Sequence, residues 1–255
     1  KEYLVKVVRE AKVNSSWEAP DEGYENACSK FVDHILEDQN GFLSGVLSMI
    51  KMLFPYANTN ALGQVLIKIT APGIPDIYQG CELWDLSYVD PDNRRPVDYN
   101  IRKAHLARII EKEKDGPAVL FSFLADHRNL GIEKLFVTWK ALNFRNLNPE
   151  LFAAGEYLPL QVSGKEAVVC AYARHYQDQW VLVIIPLASA RKQEWTDESV
   201  LLPSNLSGLW TNIFTNSQVH LIESLALRET LNEFPLGFFT NSNNQTVSSP
   251  REHEN

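Results

Sequence analysis

The chain has 255 residues, of which 45% are hydrophobic and 22% are charged, and its formal net charge is −8. This length and balance are those of a globular protein with a substantial core. The acidic excess disfavours a broad attraction to nucleic acid or anionic lipid, and the longest apolar run, Val181 to Ala188, is too short to cross a bilayer. We therefore expect neither nucleic acid nor a membrane as a partner.

In the first part of the chain, apolar residues recur every three or four positions, which predicts helices. One helix is expected to begin after Pro20 and Asp21, and Pro55 is expected to end another. The predicted helical stretches are 3–11, 24–36, 42–54, 61–69, 101–112 and 131–143. The first pattern is already under way near Lys1, which is not a methionine, so we expect a fragment of a longer protein.

The pattern changes near Asn148 and Pro149, where short runs rich in Val, Tyr and Leu alternate with turn-forming residues. The predicted strands are 156–162, 167–174, 179–185, 199–202, 209–214, 218–222 and 237–240. Their spacing favours an antiparallel sandwich or sheet. We thus predict an α+β protein with a mostly helical part at 1–147, an antiparallel β domain at 148–240 and a disordered tail at 241–255.

The cysteines and histidines give no sign of a metal or cofactor site. Cys28, Cys81 and Cys170 are odd in number, form no C-x-x-C pair and have no zinc-type spacing with histidine. The histidines show no metal-ligand spacing, and the sequence has no Gly-rich phosphate loop. We predict buried free thiols in a reducing cytoplasm, no metal and no cofactor.

The stretch from Pro72 to Tyr99 has an unusual composition. A Pro-Gly turn precedes Ile74–Tyr78, which reads as a short buried strand, and a long polar loop follows Gly80. The loop combines aromatic rings with carboxylates and guanidinium groups, which suits a sugar site because rings stack on pyranose faces while polar groups bind hydroxyls. The alternative is that the charges pair with one another and hold the loop rigid, and composition alone favours this alternative.

A family resemblance changes that balance. The run Pro72 to Glu82, PGIPDIYQGCE, resembles the strand-eight signature of the α-amylase family, which has a (β/α)8 barrel. The continuation from Leu83 to Tyr99 is more similar to the maltooligosyltrehalose synthases of that family than to a generic amylase or branching enzyme. The stretches 9–25 and 135–160 agree, so that the resemblance covers roughly residues 1–186.

The resemblance implies the helical C-terminal portion of a barrel, followed by an antiparallel sandwich-like C-terminal domain. A lone barrel strand cannot close a barrel, so we expect Ile74–Tyr78 to pair differently or to lie irregularly. The implied activity is that of a (1→4)-α-D-glucan 1-α-D-glucosylmutase. Such an enzyme converts the reducing-end α-1,4 linkage of a maltooligosaccharide to an α,α-1,1 linkage with retained configuration, and this takes a carboxylate nucleophile and an acid/base carboxyl group.

In that family the catalytic carboxylates lie at the ends of strands four, five and seven, all before the segment that is recognisable here. No His-Asp dipeptide, the signature of strand seven, occurs in the sequence. We therefore expect no catalytic residue in this chain, and an inactive fragment whose partner is the missing N-terminal barrel portion of the same polypeptide.

The resemblance also implies that the loop contributes to the sugar cleft, because active sites of these barrels lie at the C-terminal ends of the strands. We predict that Asn93, Arg94, Arg95 and Asp98 contact sugar or the catalytic carboxylates, with pure loop scaffolding as the alternative. Trp17 is a candidate for stacking on a sugar and Lys12 for reaching a hydroxyl. For each of these two, a helix-capping or packing role is favoured.

Two other functions stay open. One is a different α-amylase-family hydrolase or glucanotransferase, which the Asn93–Tyr99 sequence NRRPVDY disfavours. The other is a self-standing carbohydrate-binding module. The helical pattern at Lys1 and the lone strand-eight segment disfavour it. A reading frame that continues upstream and encodes the other barrel strands favours the fragment.

Overall fold

The computed structural model describes residues 1–37, 41–87, 92–164, 168–187 and 194–241. The chain divides into two compact units, Lys1–Pro55 and Tyr56–Asn255. No helix among the described residues is both long and apolar enough to span a membrane. The predicted disordered tail lies, from residue 242 onward, outside the described residues.

The first unit contains α1 (Glu2–Ala11), α2 (Glu22–Leu36) and the beginning of α3 (Phe42–Thr70). The start of α2 is as predicted, because Asp21 Oδ1 accepts a hydrogen bond from the Tyr24 N–H at 2.9 Å and so caps the helix. Helix α1 ends at Lys12, whose left-handed backbone, with φ 53°, turns its N–H back to the Arg9 carbonyl.

Helix α3 corrects one prediction, since the two helices expected at 42–54 and 61–69 are a single element. Pro55 lies inside the helix and does not end it. The proline ring fixes φ near the helical value, but it removes one backbone hydrogen bond and crowds the carbonyl four residues earlier, so α3 continues through Pro55 at a local cost.

The second unit continues with four helices, α4 (Tyr99–Lys114), α5 (Pro117–Asp126), α6 (Ile132–Leu147) and α7 (Pro149–Ala153). The helices expected at 101–112 and 131–143 are confirmed as α4 and α6. Helix α5 lies where no element was predicted, and α7 occupies the expected start of the β domain. Proline stands at the first position of both α5 and α7, where its missing N–H is no loss.

The strands form two antiparallel sheets. They are β1 (Glu156–Pro159), β2 (Val162–Ser163), β3 (Val169–Tyr176), β4 (Gln179–Pro186), β5 (Ser199–Leu201), β6 (Gly208–Asn212), β7 (Gln218–Leu221), β8 (Ser224–Ala226) and β9 (Gly237–Thr240). One sheet has the order β1-β3-β4-β9-β6-β7 and the other β2-β5-β8. The single strand predicted at 156–162 is divided between β1 and β2, which lie in different sheets, and β8 was not predicted. The other strands lie where they were expected, and the α+β class is confirmed.

The central strands of the larger sheet, β3, β4 and β9, are largely buried on both faces. Val183 of β4 pairs with Tyr172 and Phe238 across three strands, and all three belong to the core that the helices also build. Leu182 belongs to a second core, together with Val200 of the three-stranded sheet. Because the later helices and the sheets share the first core, they form one unit, and the division at Pro55 differs from the predicted one at 147.

The segment Ile74–Tyr78 is not the buried strand that its composition indicated. It has no regular secondary structure, and Ile74 is 95% exposed. Pro75 has no N–H to donate to a ladder, and no described strand lies beside the segment to pair with it. Only Ile77 packs against the core. The segment therefore lies irregularly, which is one of the two outcomes expected from the sequence.

Candidate functional site

The loop after Gly80 folds into a concavity of about 180 Å³ at the start of α4. It brings together three of the six predicted site residues, Asn93, Arg95 and Asp98. The residues that line it are Gln79, Gly80, Trp84, Asp85, Asn93, Arg95, Pro96, Val97, Asp98 and Arg102. Arg94 is exposed in the short 3-10 turn Asp92–Arg94 and is not among them.

Arg95 crosses the mouth of the loop to Asp85. Its Nη2 lies 2.9 Å from Asp85 Oδ1, which also accepts hydrogen bonds from the Ser87 hydroxyl and backbone N–H. These bonds, above all that from the Ser87 hydroxyl, lower the pKa of Asp85, with a smaller contribution from Arg95. The Arg95 side chain is 63% exposed, so its guanidinium is oriented by an ionised carboxylate yet accessible to a ligand.

Asn93 and Asp98 both line the concavity. The side-chain oxygen of Asn93 is buried and has no hydrogen-bond partner in the described structure. A hydroxyl donor would satisfy it, and an unsatisfied buried acceptor costs free energy. Asp98 Oδ1 caps α4 by accepting from the Asn100 and Ile101 N–H groups at 2.9 and 3.1 Å. Asp98 therefore has a scaffolding role, which was the alternative to a sugar contact.

Sequence reasoning missed Arg102, which joins the two ends of the loop. Its guanidinium donates to Gly80 O at 2.7 Å, to Asp98 O at 3.0 Å and to Glu82 Oε2 at 2.9 Å. Glu82 therefore serves as an anchor and not as a free acid. The available signal was the position of Arg102, one helical turn after the capping Asp98.

Trp84 fastens the middle of the loop to the beginning of α6. Its indole N–H donates to Arg128 O at 3.0 Å, and Lys134 Nζ lies 5.5 Å from the centroid of its ring. The same ammonium group donates to Leu83 O at 3.3 Å, and burial lowers the pKa of Lys134. Gly131 allows this approach, because a Cβ there would lie 2.6 Å from Trp84 N.

Trp17 and Lys12 belong to the unit Lys1–Pro55, and each has a local role there. The Trp17 indole N–H donates to Glu10 Oε1 at 2.9 Å, and the Arg9 guanidinium lies 5.1 Å from the ring centroid. The ring is nevertheless half exposed. Lys12 supplies the left-handed residue that ends α1. The packing and capping roles favoured for these residues are present, and their sugar contacts stay predictions.

The structure agrees with the cysteine analysis in part. Cys28, Cys81 and Cys170 are free, but they are half-buried and not fully buried as expected. Over the described ranges, no group of three or more His, Cys, Asp or Glu side chains is arranged to hold a metal ion.

Comparison with known proteins gives a consistent set of relatives in sequence. Two proteins from strains of Mycobacterium tuberculosis, each provisionally named maltooligosyl trehalose synthase, are 32% identical to this chain over 213 residues. The match covers 84% of this chain and 24% of the relatives. No protein-family model matches the sequence.

Solved structures agree with the relatives. A mutant of maltooligosyltrehalose synthase from Arthrobacter ramosus superposes with a TM-score of 0.75 at 25% identity, covering 93% of this chain and 29% of that one. A second crystal structure of a maltooligosyl trehalose synthase gives a TM-score of 0.69 at 26% identity, covering 94% of this chain and 29% of that one. In sequence and in fold, the chain is thus similar to maltooligosyltrehalose synthases, and it spans about a quarter of their length.

Proposed function

We propose that the chain is the C-terminal part of an enzyme that converts the reducing-end α-1,4 linkage of a maltooligosaccharide to an α,α-1,1 linkage. The observation that carries this proposal is the 32% identity to maltooligosyl trehalose synthases over 84% of the chain. The helices before residue 147 then belong to the end of a (β/α)8 barrel, and the sheets form the domain that follows it.

The concavity supports a role in holding the acceptor glucose. Arg95 supplies an exposed, oriented donor that is complementary to sugar hydroxyls, and Asn93 lines the same concavity. Lining charges of both signs, Asp85 and Asp98 against Arg95 and Arg102, suit an uncharged ligand. In this intramolecular transfer the released glucose must stay bound and water must be kept out, so contacts to its hydroxyls favour rejoining over hydrolysis.

The nucleophile and the acid/base carboxyl group are, in this proposal, supplied from outside the chain. The absence of a His-Asp dipeptide from the sequence supports this. The carboxylates that line the concavity support it as well, since Asp85 is held by Ser87 and Arg95 and Asp98 caps α4. A general acid would need a carboxyl group that is protonated near neutral pH.

The test is to incubate the complete gene product with maltopentaose and to follow reducing ends and chain length together. Loss of reducing ends without shortening of the chain is expected, because an α,α-1,1 linkage blocks the reducing end. New reducing ends and shorter chains would instead show an α-amylase-type hydrolase. Binding of maltopentaose without any chemical change would favour a carbohydrate-binding module.

The role of the loop is tested with Arg95→Ala in the complete gene product. An exposed ion pair contributes at most about 1 kcal/mol, so the variant should fold normally. We expect kcat/KM to fall about tenfold and the share of free glucose among the products to rise, since one charged hydrogen bond contributes about 1.5–3 kcal/mol. Lys103→Ala, an exposed cation on α4, is the matched control. Unchanged kinetics in Arg95→Ala would contradict the assignment.

A further inference from the structure

Glu133 is a buried carboxylate whose partners come from two other parts of the second unit. It stands in the first turn of α6, where the end of the helix favours a negative charge, and it is 3% exposed. The Arg128 guanidinium donates to its two oxygens at 2.9 and 3.0 Å, and the side-chain amide of Asn58 in α3 donates to one of them. An apolar side chain of similar volume often replaces a buried ion pair with no loss of stability. Stability alone therefore does not account for a charge at this position.

Arg128 links this carboxylate to the candidate sugar site. It begins a 3-10 turn that ends at Leu130, directly before α6. Its carbonyl oxygen accepts hydrogen bonds from the Gly131 N–H at 3.1 Å and from the Trp84 indole N–H at 3.0 Å. The paired hydrogen bonds to Glu133 fix the orientation of the guanidinium as well as its distance. The Trp84 indole is thus held by a residue whose own side chain is held by Glu133.

Trp84 forms part of the wall of the concavity. Among the described residues that line it, Trp84 is the one aromatic side chain. Lys134 Nζ lies over the ring, 5.5 Å from its centroid, so that the ring is supported as well as bonded through its N–H. Sugar sites combine an apolar ring surface with a few placed polar groups, and Arg95 supplies such a group on the same concavity. The orientation of the Trp84 ring therefore bears on how a sugar would be held.

We propose that Glu133 is a positioning residue of the acceptor site, which fixes through Arg128 the indole of Trp84 against the glucose that is released and rejoined. The inference rests on the proposed function and adds two residues to its site. The alternative role of Glu133 is to join α3 to α6 and so to stabilise the fold alone. The two roles differ in one respect, because positioning requires that the effect of Glu133 on the sugar passes through the Trp84 indole.

A double-mutant cycle in the complete gene product tests this path. Glu133→Gln keeps the size of the side chain but replaces one carboxylate oxygen by an amide group that cannot accept, and Trp84→Phe keeps a ring without the N–H. We expect each variant to raise the ratio of free glucose to α,α-1,1 product about three- to tenfold, the range that one aromatic contact contributes. The double variant should be no worse than Trp84→Phe, because the path is already interrupted.

Glu113→Gln is the matched structural control. Glu113 pairs with Lys140, whose side chain is 1% exposed and lies further along α6, so this variant also weakens a buried ion pair of that helix. It should lower Tm, as Glu133→Gln does, but leave the product ratio unchanged. A loss of stability without a change in products is the result that a purely structural role predicts for both variants.

Fluorotryptophan labelling of the complete gene product gives a readout that does not depend on the products. The 19F signal of Trp84 is identified by its loss in Trp84→Phe. Saturating maltopentaose should shift this signal in the unsubstituted protein. Glu133→Gln should move the signal before sugar is added and reduce the shift that sugar causes, whereas Glu113→Gln should do neither.

Two results would overturn the proposal. One is an additive effect of Glu133→Gln and Trp84→Phe on the product ratio, and the other is a Trp84 signal that ignores either Glu133→Gln or maltopentaose. Should Glu133→Gln not fold, Arg128→Lys takes its place, since Arg128 is partly exposed and lysine cannot make the paired contact. It should change the ratio and the signal in the same direction, and unchanged values would count against positioning.

The two proposals fail in different ways. A complete gene product that yields shorter chains and no α,α-1,1 product contradicts the proposed function. In that case the Trp84 signal still decides whether Glu133 positions the ring against a bound maltooligosaccharide. Formation of the α,α-1,1 product with a Trp84 signal that is indifferent to Glu133→Gln contradicts the positioning role alone.

Discussion

The Arg102 guanidinium lies 2.9 Å from the Glu82 carboxylate, and this partly buried pair ties α4 to the loop that forms the candidate sugar site. The same guanidinium bonds two carbonyls from opposite ends of that loop, those of Gly80 and Asp98. The planar guanidinium group of one arginine thus fixes the start and the end of the loop with respect to each other.

Arg102→Ala removes this connection. We expect a loss of about 2–3 kcal/mol in the free energy of unfolding, because three charge-assisted hydrogen bonds disappear and Glu82 loses its partner. We also expect maltopentaose affinity of the complete gene product to fall more than stability alone explains. Urea unfolding and binding calorimetry would measure the two effects.

Arg102→Lys should restore little of the lost stability and affinity, since one ammonium group cannot span all three acceptors. Lys103→Ala, its exposed neighbour, should change neither quantity.

Gly131 lets α6 begin directly against the loop. Its φ of 78° is rarely adopted by other residues, and a Cβ would lie 2.6 Å from Trp84 N. Gly131→Ala should displace Leu83 and Trp84, lower stability by about 2 kcal/mol or more, and shift the 19F NMR signal of fluorotryptophan-labelled Trp84. Gly41→Ala is the control for backbone strain, because Gly41 has a φ of 75° and, among the described residues, a Cβ there would meet one atom within 4 Å, Ser44 Oγ at 3.8 Å. Equal losses from the two substitutions would show that the contact with Trp84 is unimportant.

Local signals predicted the parts of the fold that local physics determines. Asp21 marks the start of α2 because a short acceptor side chain bonds the first free N–H groups of a helix. The strands 169–176 and 179–186 follow from their β-branched and aromatic residues and the turn between them. The family resemblance was readable because the motif at Pro72–Tyr99 is contiguous.

The parts that were missed depend on distant partners. Ile74–Tyr78 has the composition of a strand, but a strand exists only beside another strand. Arg102 donates to three acceptors, of which only the Asp98 carbonyl is local; Glu82 and Gly80 lie 20 and 22 positions earlier in the sequence, and the helical spacing from Asp98 does not predict contacts with them. Pro55 was given too much weight as a helix breaker, since the φ of proline is compatible with a helix and α3 continues on both sides of it.

Arg174 fixes the point from which the loop segment departs. The side chain is buried and has no carboxylate partner among the described residues, and its guanidinium donates to the carbonyls of Thr70, Phe152, Gly155 and Glu156 at 2.8–3.2 Å. Burial lowers its pKa. We expect Arg174→Met to cost about 3 kcal/mol or more, because several buried carbonyls lose their donor at once. Urea unfolding measures the loss.

Arg174→Lys should restore only part of that stability, since an ammonium group has fewer donors and no fork. The matched control is Arg228→Met, which changes an exposed arginine of the short helix α8 (Leu227–Thr230). It should alter the free energy of unfolding by less than about 0.5 kcal/mol. Equal losses at the two positions would contradict the anchoring role of Arg174.

Glu25 makes the first unit sensitive to acid. The Arg9 guanidinium, with Nη2 2.8 Å from Oε2, and then the Ser15 hydroxyl lower the pKa of Glu25 from 4.5 to about 2. A folded-state pKa below the unfolded value means that the stabilisation is complete above pH 4.5 and is lost as the pH falls towards 2. Glu25→Gln should therefore lower the free energy of unfolding at pH 6 and reduce the loss of stability between pH 4.5 and 2.

Trp17, the one tryptophan of Lys1–Pro55, reports this unfolding by 19F NMR. Glu18→Gln, at an exposed carboxylate of the same unit, should keep the full decline, and an unchanged profile in Glu25→Gln would refute the linkage.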